Sequence, residues 1–396
     1  MTALFLTDCG IVTPLGRGKA HVARALFAGR GDGIVPSGDL APGRSVPVGA
    51  VAAPLPAVPP DLALFDSRNN RLMQAALDEI SETVARAVAR HGADRIAVVL
   101  GTSTSGISDG EQALAAQRRS GAWPNGFHYR AQETGSLAEY AARSLGVTGP
   151  AYTIATACSS SAKVFASARR LMRAGLIDAA VVGGADTLCR MTIGGFGALE
   201  ALSKTRCNPF SANRDGLTIG EGAAAFLIER EPGPVRLLGI GETSDAHHAT
   251  APDPDGAGAR AAMLQALGDA GLMPADIGYI NLHGTATVLN DAMESKAVAA
   301  VFGDSTPCSS TKGMTGHMLG AAGGCEAAFL WLTLHPEFNG DGLLPPHLWD
   351  GVADPTLPAL NLVTVGAEAP RGRGAMLSNS FGFGGSNAAL ILGRDG

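Results

Sequence analysis

The chain has 396 residues, a formal net charge of −6 at pH 7 and six cysteines. The acidic balance excludes the strongly basic surface that nucleic-acid-binding proteins present to phosphates. The cysteines form no CxxC pair and no metal-type Cys/His spacing, so we expect no metal site and a reducing, cytoplasmic location. The long uncharged runs, 144–162 and 374–393, are rich in Gly, Ser, Thr or Asn, so we expect no membrane span.

The first half of the chain alternates predicted strands with predicted helices. An apolar strand over residues 5–12 precedes a short helix over 19–28. A long amphipathic helix is predicted over 71–91, and a continuous apolar strand over 95–100 then ends in GTSTSG. This alternation of strand and helix predicts the α/β class.

Residues 151–173, AYTIATACSSSAKVFASARRLMR, combine a strand, a turn of small residues and an amphipathic helix. Cys158 lies where that helix begins. Unpaired backbone N–H groups and the helix dipole would stabilise a thiolate there, and they could hold an oxyanion on a substrate attached to the sulfur. The alternative is a small structural cysteine, because free cysteines are commonly buried and inert.

The second half of the chain repeats the order of the first. Three pairs of segments correspond: 96–100 with 277–282, 151–175 with 307–334, and 179–183 with 375–378. We therefore predict two similar α/β halves, residues 1–234 with the nucleophile and residues 235–396 with two histidines, whose corresponding sheet edges face a shared site. The EPGP turn at 231–234 marks the boundary.

Reactive side chains follow the predicted strands of the second half. His283 directly follows an apolar strand, although a lone histidine there is more often structural. Lys312 and His317 lie in STKGMTGHMLGAAGG, whose small residues indicate a helix packed close to another backbone, where a charged group is costly unless paired. Asp291 and Glu294, three residues apart, either complement a helix dipole or form a buried carboxylate pair that orients the site.

A nucleophilic cysteine with two histidines at strand–helix junctions suits carbon–carbon bond formation. Cys158 would carry an acyl group as a thioester, while neutral imidazoles of His283 and His317 donate hydrogen bonds to a second carbonyl as negative charge develops. This arrangement favours a decarboxylative Claisen condensation. A cysteine protease would need only one histidine and an orienting Asn or Asp.

Four motifs give the chain its resemblance to a known family. They are TACSSS around Cys158, HGTAT with Asp291 and Glu294, STKGMTGH around Lys312 and His317, and NSFGFGG over 379–385. In order and spacing, over essentially the whole chain, they resemble the β-ketoacyl-acyl-carrier-protein synthases. The resemblance implies the thiolase fold, a five-layered αβαβα core built from two similar halves, and a dimer formed across the nucleophile-bearing half. It also implies no cofactor, because the substrates are carried on the phosphopantetheine of an acyl carrier protein.

The resemblance further implies a role for each matched residue. Cys158 accepts the acyl chain, and His283 and His317 bind the malonyl thioester carbonyl and promote decarboxylation. Lys312 pairs with Glu294 to hold the histidines, supported by Asp291. The backbone N–H groups of Cys158 and Phe383 form the oxyanion hole, and Phe383 gates the acyl pocket. The residues expected to bind substrate are Phe196, Thr285, Thr287, Phe381 and Gly382.

Departures from the fatty-acid-elongating members narrow the resemblance. Glu200 stands where those enzymes place an arginine that contacts the carrier protein, and the connection at 231–234 is short. With RNNRLM, VVLGTSTSGI and GYINLHGTA, these features look most like the synthases of aryl-polyene pigment clusters. Such enzymes elongate an aryl or polyenoyl primer, often beside a silent chain-length-factor partner, so a homodimer and a heterodimer both stay open. The basic residues predicted from charge to dock the carrier protein are Arg68, Arg71, Lys204 and Arg206.

Three alternatives remain at this point. A fatty-acid ketosynthase of the type II system would apply the same mechanism to saturated chains. A non-catalytic chain-length-factor subunit would only shape a partner's tunnel, but such subunits typically lack the nucleophile that Cys158 supplies. A thiolase needs a second acid/base cysteine near the C-terminus, whereas the last cysteine here, Cys325, lies within a predicted buried helix.

Overall fold

The computed structural model describes residues 3–394, which form alternating strands and helices. The strands are β1 (Phe5–Thr13), β2 (Gly16–Arg17), β3 (Ile34–Ser37), β4 (Val46–Gly49), β5 (Ile96–Gly101), β6 (Ala151–Ile154), β7 (Ala179–Asp186), β8 (Ile219–Gly220), β9 (Gly222–Glu229), β10 (Val235–Ser244), β11 (Ile277–Asn281), β12 (Pro307–Ser309), β13 (Asn361–Leu362), β14 (Ala375–Gly382) and β15 (Ser386–Gly393). The α-helices are α1 (Lys19–Phe27), α2 (Arg68–Leu77), α3 (Ser81–His91), α4 (Ile107–Ser120), α5 (Ser136–Leu145), α6 (Ser160–Arg173), α7 (Arg190–Ala198), α8 (Ala257–Ala270), α9 (Val288–Phe302), α10 (Lys312–Thr315) and α11 (Ala322–Leu334).

The large sheet consists of two half-sheets with the same internal order. One runs β6-β5-β7-β9-β1 and the other β12-β11-β14-β15-β10, with β13 beyond β12. In each half-sheet the first two pairings are parallel and the last two antiparallel. The halves join through β1 and β10, where Phe5 lies opposite Arg236. The predicted division at residue 234 falls between β9 and β10 and stays a prediction, and its outer limits, residues 1 and 396, lie outside the described residues.

Helices α6 and α11 form the layer between the two half-sheets. Helix α6 contacts β5 and β7, α11 contacts β14 and β15, and the two helices contact each other. Helices α2 and α5 cover the outer face of the first half-sheet, and α8, with α9 packed against it, covers the outer face of the second. The result is the five-layered αβαβα arrangement predicted from the sequence.

The two central helices approach unusually closely, as the small residues predict. The Gly324 backbone N–H donates to Ser161 Oγ at 2.7 Å. A Cβ atom added at Gly323 would lie 2.8 Å from the Cβ of Ala162, so only glycine fits there. This contact brings the N-terminal ends of α6 and α11 together, and with them the two junctions that carry Cys158 and His317.

The amphipathic segment predicted as one helix over 71–91 is instead two helices, α2 and α3, with a turn between them. The turn directs the Glu79 carboxylate toward the start of the chain. One of its oxygens accepts the Ile11 backbone N–H at 3.1 Å and the other accepts the Lys19 N–H at 3.0 Å. A continuous helix would leave those donors unpaired, which explains the break.

Across residues 3–394, none of the helices combines the length and the apolar character needed to cross a bilayer.

Candidate active site

Cys158 lies in the turn between β6 and α6, two residues before the helix begins. The turn is tight, because Ala157 adopts a positive φ of 53° and Ser160 Oγ donates to the Ala157 carbonyl at 2.6 Å. The cysteine is only 7% exposed. The sequence placed it at the N-terminal end of a helix, and the structure has it there.

The environment of the thiol differs from the sequence expectation in one respect. The Phe383 backbone N–H donates to the sulfur and the Lys312 charge is near, and both favour the thiolate. Burial nevertheless outweighs them and raises the pKa of Cys158 to about 11. A thiol with this pKa is neutral near pH 7.

Two buried imidazoles face the sulfur. His317 Nε2 lies 3.0 Å from Cys158 Sγ, and the His283 ring meets the His317 ring edge to face, with centroids 5.2 Å apart. Desolvation, reinforced by the positive charge of Lys312, lowers the pKa of both histidines well below the ordinary value. Both rings are therefore neutral near pH 7, and each keeps one N–H to donate.

The same three side chains form a donor set that could hold a soft divalent metal. The Cys158 sulfur and one nitrogen of each histidine lie within 4.8 Å of one another. The Lys312 charge, which already opposes an imidazolium at this point, also opposes a cation there.

The predicted pair between Lys312 and Glu294 is wrong. Lys312 Nζ lies 2.5 Å from Glu326 Oε1, and both side chains are 1% exposed. Glu326 is the lone charged residue of the fully buried helix α11, AGGCEAAFLWLTL, which was the signal that it required a partner. Sequence spacing did not reveal the pairing, because two acidic side chains lay within plausible reach of the lysine.

Glu294 instead holds the backbone that carries His283. One carboxylate oxygen accepts the His283 N–H at 2.8 Å, and the other accepts the Gly284 N–H at 2.7 Å. Asn379 Nδ2 donates to the first oxygen at 3.2 Å. Burial raises the pKa of Glu294 to about 7 despite these hydrogen bonds.

Asp291 holds the same loop one turn earlier in α9. It accepts the Ala286 backbone N–H at 3.2 Å and the Phe210 backbone N–H at 2.7 Å. Ala286 has a positive φ of 65°, so this carboxylate fixes a strained turn. Of the two readings left open for the acidic pair, the buried pair that orients the site is the one observed.

A pocket of about 290 Å³ opens onto Cys158. Its walls contain the predicted substrate-binding residues together with the catalytic candidates: Phe196, His283, Thr285, Thr287, His317, Phe381, Gly382 and Phe383. The rings of Phe196 and Phe383 pack with centroids 5.5 Å apart, and the hydroxyls of Thr285 and Thr287 lie 3.0 Å apart. The pocket is also lined by three acidic residues, Glu200, Asp215 and Asp245. Of these, only Glu200 was identified from the sequence, as a departure from the fatty-acid-elongating enzymes.

The four basic residues predicted to dock a carrier protein fall into two pairs. The Arg68 guanidinium lies 2.5 Å from the buried carboxylate of Glu221, and Arg71 binds Asp66 at 2.6 Å. Lys204 and Arg206 are exposed. The Lys204 backbone N–H donates at 3.3 Å to Asp215, which lines the pocket, and Arg206 lines a neighbouring depression that shares Asp215 with it.

Comparison with known proteins gives consistent matches. Family models described as the N-terminal and C-terminal domains of beta-ketoacyl synthase match residues 46–232 and 235–348. The 3-oxoacyl-[acyl-carrier-protein] synthase 2 of Staphylococcus aureus is 39% identical over 265 residues, 63% of this chain and 64% of that protein. The Rhizobium meliloti protein of the same name is 40% identical over 265 residues, 62% of this chain and 61% of that protein. The chain thus spans just under two thirds of the length of these relatives in the aligned region.

Two solved structures align over the whole chain. The ketosynthase ApeO, in complex with its chain length factor ApeC from Xenorhabdus doucetiae, is 47% identical, with a TM-score of 0.94 and coverage of 100% of this chain and 98% of that one. The ishigamide ketosynthase/chain length factor is 28% identical, with a TM-score of 0.87 and full coverage of both chains. These matches confirm the predicted fold and family.

Proposed function

The chain belongs to the β-ketoacyl synthase family, and from that premise we propose that it is a β-ketoacyl-acyl-carrier-protein synthase. It joins malonyl-carrier protein to an acyl chain held as a thioester on Cys158, with loss of CO₂. The observation that carries this proposal is the meeting of the Cys158 sulfur with the neutral rings of His283 and His317 at the end of one pocket.

The first step transfers the acyl group from the carrier to Cys158. The sulfur attacks the thioester carbonyl, the carrier's C–S bond breaks, and the thiol proton passes to the departing pantetheine sulfur, so no proton is gained or lost overall. His317 Nε2, 3.0 Å away, is positioned to relay that proton. The backbone N–H groups of Cys158 and Phe383 would bind the oxyanion, and the missing side chain at Gly382 leaves room for it, because a Cβ there would lie 3.3 Å from the Cys158 nitrogen.

The second step releases CO₂ and forms the new bond. The bond to the malonyl carboxylate breaks, and its electron pair forms an enolate whose oxygen accepts N–H groups from His283 and His317. The enolate carbon attacks the thioester on Cys158, the C–S bond breaks, and the released thiolate takes up one proton. Burial keeps the imidazoles neutral, and Lys312, held by Glu326, reinforces this because its charge disfavours an imidazolium.

We propose an aryl or polyenoyl chain as the preferred acyl group. The motif resemblance to aryl-polyene synthases supports this choice, and so does the 47% identity to ApeO over the full chain. A saturated fatty acyl chain is the second candidate, favoured by the two curated 3-oxoacyl-[acyl-carrier-protein] synthases at about 40% identity. A non-catalytic chain-length-factor role lacks support, because Cys158, both histidines and Lys312 are all present.

A primer panel tests the acyl preference. The protein is incubated with carrier proteins bearing matched saturated, polyenoyl and aryl-enoyl chains, and the mass added at Cys158 is measured by intact-protein mass spectrometry. Preferential loading of the conjugated primers is the expected result. Preferential loading of saturated primers would establish the fatty-acid alternative.

A carrier protein and a second ketosynthase-fold chain are the partners we propose. In the described part of the chain, β6 pairs only with β5, so its other edge is open to a strand from a partner. Cys158 follows β6 by four residues, so a partner there would adjoin the site. ApeO and the ishigamide enzyme were solved with chain length factors, which supports a heterodimer ahead of a homodimer.

We place the protein in the cytoplasm, where its six unpaired thiols would stay reduced.

Lys204 and Arg206 are our proposed docking residues for the carrier protein, because Arg68 and Arg71 already hold carboxylates. The double variant Lys204→Glu/Arg206→Glu should raise the KM for carrier-linked malonyl about tenfold and leave kcat unchanged, since charge at a rim acts mainly on encounter. Arg371→Glu/Arg373→Glu, two reversals just before the opposite end of β14, is the charge-matched control. An unchanged KM in the double variant would refute this docking site.

A further inference from the structure

Asp186, the last residue of β7, is a buried carboxylate that the mechanism above does not use. It is 0% exposed and accepts five hydrogen bonds. Four reach Oδ1 from the loop after β5: Thr102 Oγ1 at 2.7 Å, the Ser103 N–H at 2.7 Å, the Thr104 N–H at 2.7 Å and Thr104 Oγ1 at 2.8 Å. The fifth reaches Oδ2 from the Ala321 N–H at 2.9 Å.

These hydrogen bonds join two segments that flank the site. Ser103 Oγ donates to the carbonyl of Ala157 at 3.4 Å, so the loop after β5 contacts the turn that presents Cys158. Ala321 lies four residues after His317, in the short connection between α10 and α11. Asp186 therefore links the nucleophile's turn in the first half to the histidine's segment in the second.

The position of the His317 ring follows from the backbone that carries it, because, within residues 3–394, no hydrogen bond orients the ring from its far side. Its Nδ1 is buried and has no hydrogen-bond partner among the described residues, and its Nε2 faces the reacting sulfur. Residues 218–220 hold the backbone of His317 itself: its N–H donates to the Thr218 carbonyl at 2.6 Å, and its carbonyl accepts the Gly220 N–H at 2.9 Å. On its C-terminal side the first carboxylate contact is Asp186 with Ala321.

Close packing makes this contact sensitive to small changes. A Cβ added at Gly320 would lie 2.6 Å from Ser103 Oγ and 2.9 Å from Asp186 Oδ2. Side chains essentially never approach so closely, so even a methyl group there would push Ala321 away from the carboxylate. The bare glycine and the carboxylate together hold the connection in place.

We propose that Asp186 is a positioning residue that sets His317 at its working distance from Cys158 by binding Ala321 and the 102–104 loop to one carboxylate. The inference rests on the proposed function for the identity of the reaction, but the geometry of the link is independent of it. The five donors require an acceptor on both oxygens, which an ionised aspartate supplies and an asparagine does not.

The test compares Asp186→Asn and Gly320→Ala with wild type, and Gly268→Ala, whose Cβ would meet nothing, serves as the matched control. Both test variants should lose about tenfold or more of malonyl decarboxylation, as expected when a catalytic group is misplaced by a fraction of an ångström to an ångström. The pH profile of Cys158 alkylation by iodoacetamide is the second measurement. It should shift to lower pH in Asp186→Asn, because a negative charge that opposes the thiolate is gone, and stay unchanged in Gly320→Ala.

A folded Gly320→Ala protein with wild-type decarboxylation would overturn the proposal. This result decides even if Asp186→Asn fails to fold. Equal losses in Gly268→Ala would overturn it as well, by showing a general disturbance. If wild-type protein releases no CO₂ from malonyl-carrier protein, the proposed function fails instead. In that case the pH profile of Cys158 alkylation alone tests the positioning role of Asp186. An Asp186→Asn profile that is not shifted from wild type would count against it.

Discussion

The two halves of the molecule share a backbone plan but carry different chemistry at corresponding junctions. In the first half the strand–helix junction after β6 presents Cys158, and in the second the junction after β12 leads to His317. After β5 comes a polar loop that binds Asp186, whereas after β11 comes His283. The repeated plan places these junctions at one pocket, and the side chains at the strand ends decide what each half does.

The difference teaches how the work is divided. In the proposed mechanism the first half supplies the nucleophile, the second supplies the neutral imidazoles and the buried charges near them, and both halves contribute apolar side chains to the pocket wall. In this mechanism each half is incomplete alone, because the thiol with its raised pKa needs a proton acceptor and the enolate that the histidines stabilise needs an acyl group to attack. The variants below test this division from its largest consequence to its smallest.

Removal of the nucleophile should have the largest effect. Cys158→Ala should abolish the acyl adduct and reduce condensation by on the order of 10³-fold or more, as loss of a covalent nucleophile does elsewhere. Release of CO₂ from malonyl-carrier protein should persist, because the histidines that bind the enolate are intact. Cys325→Ala, which removes another buried thiol, should keep the adduct. Loss of decarboxylation in a folded Cys158→Ala protein would contradict the division between the halves.

Breaking the buried ion pair should have the next largest effect. Lys312→Met leaves the Glu326 carboxylate unpaired in an apolar helix, which should lower the free energy of unfolding by about 3–5 kcal/mol. Denaturant titration measures this loss, and the double variant Lys312→Met/Glu326→Leu should recover much of it. Decarboxylation should not recover fully, because burial still lowers the pKa of both histidines but the Lys312 charge that reinforces it is absent. Recovery of both properties would reduce Lys312 to a structural residue.

The pH dependence of decarboxylation should report Glu294. Its folded pKa of about 7 lies above the ordinary 4.5, so its contribution to stability is fully present below about pH 4.5 and is lost as the pH rises through 7. Activity should change in the opposite direction and rise through pH 7, because only the ionised carboxylate accepts the N–H groups of both His283 and Gly284. Glu294→Gln should lose about tenfold in rate and lack this limb of the profile. If Glu294→Gln kept the wild-type pH profile, the rise in activity through pH 7 would belong to another group.

The smallest effect is expected at the aromatic gate. Phe383→Ala removes the ring contact with Phe196 and should relax discrimination between primers of different length by about three- to tenfold, the energy of one aromatic pair. Phe383→Leu keeps an apolar side chain, so its discrimination between primers should lie between those of Phe383→Ala and wild type. Competition between two primers, followed by the mass added to Cys158, measures the ratio. Unchanged discrimination in Phe383→Ala would show that the gate lies elsewhere.

The sequence predicted those site residues whose position follows from a single local pattern. Cys158 and His283 follow apolar strands, and the glycine-rich segment predicts both the burial of His317 and the close helix contact. The residues that support them were harder to identify. Asp186 gathers donors from 102–104 and from 321, segments that only the folded chain brings together. The partner of Lys312 was missed, and the thiol's pKa was misjudged, because burial depends on the whole fold.

A single-turnover experiment tests the central claim most directly. Wild-type protein acylated at Cys158 is mixed with malonyl-carrier protein, and rapid quenching follows three quantities: the adduct mass, the CO₂ released and the β-ketoacyl-carrier protein formed. All three should change together, with equal amounts of adduct lost, gas released and product formed, and His283→Ala and His317→Ala should slow all three while acylation is less affected. Adduct that disappears as free acid, without an extended product, would contradict the assignment of this site to condensation.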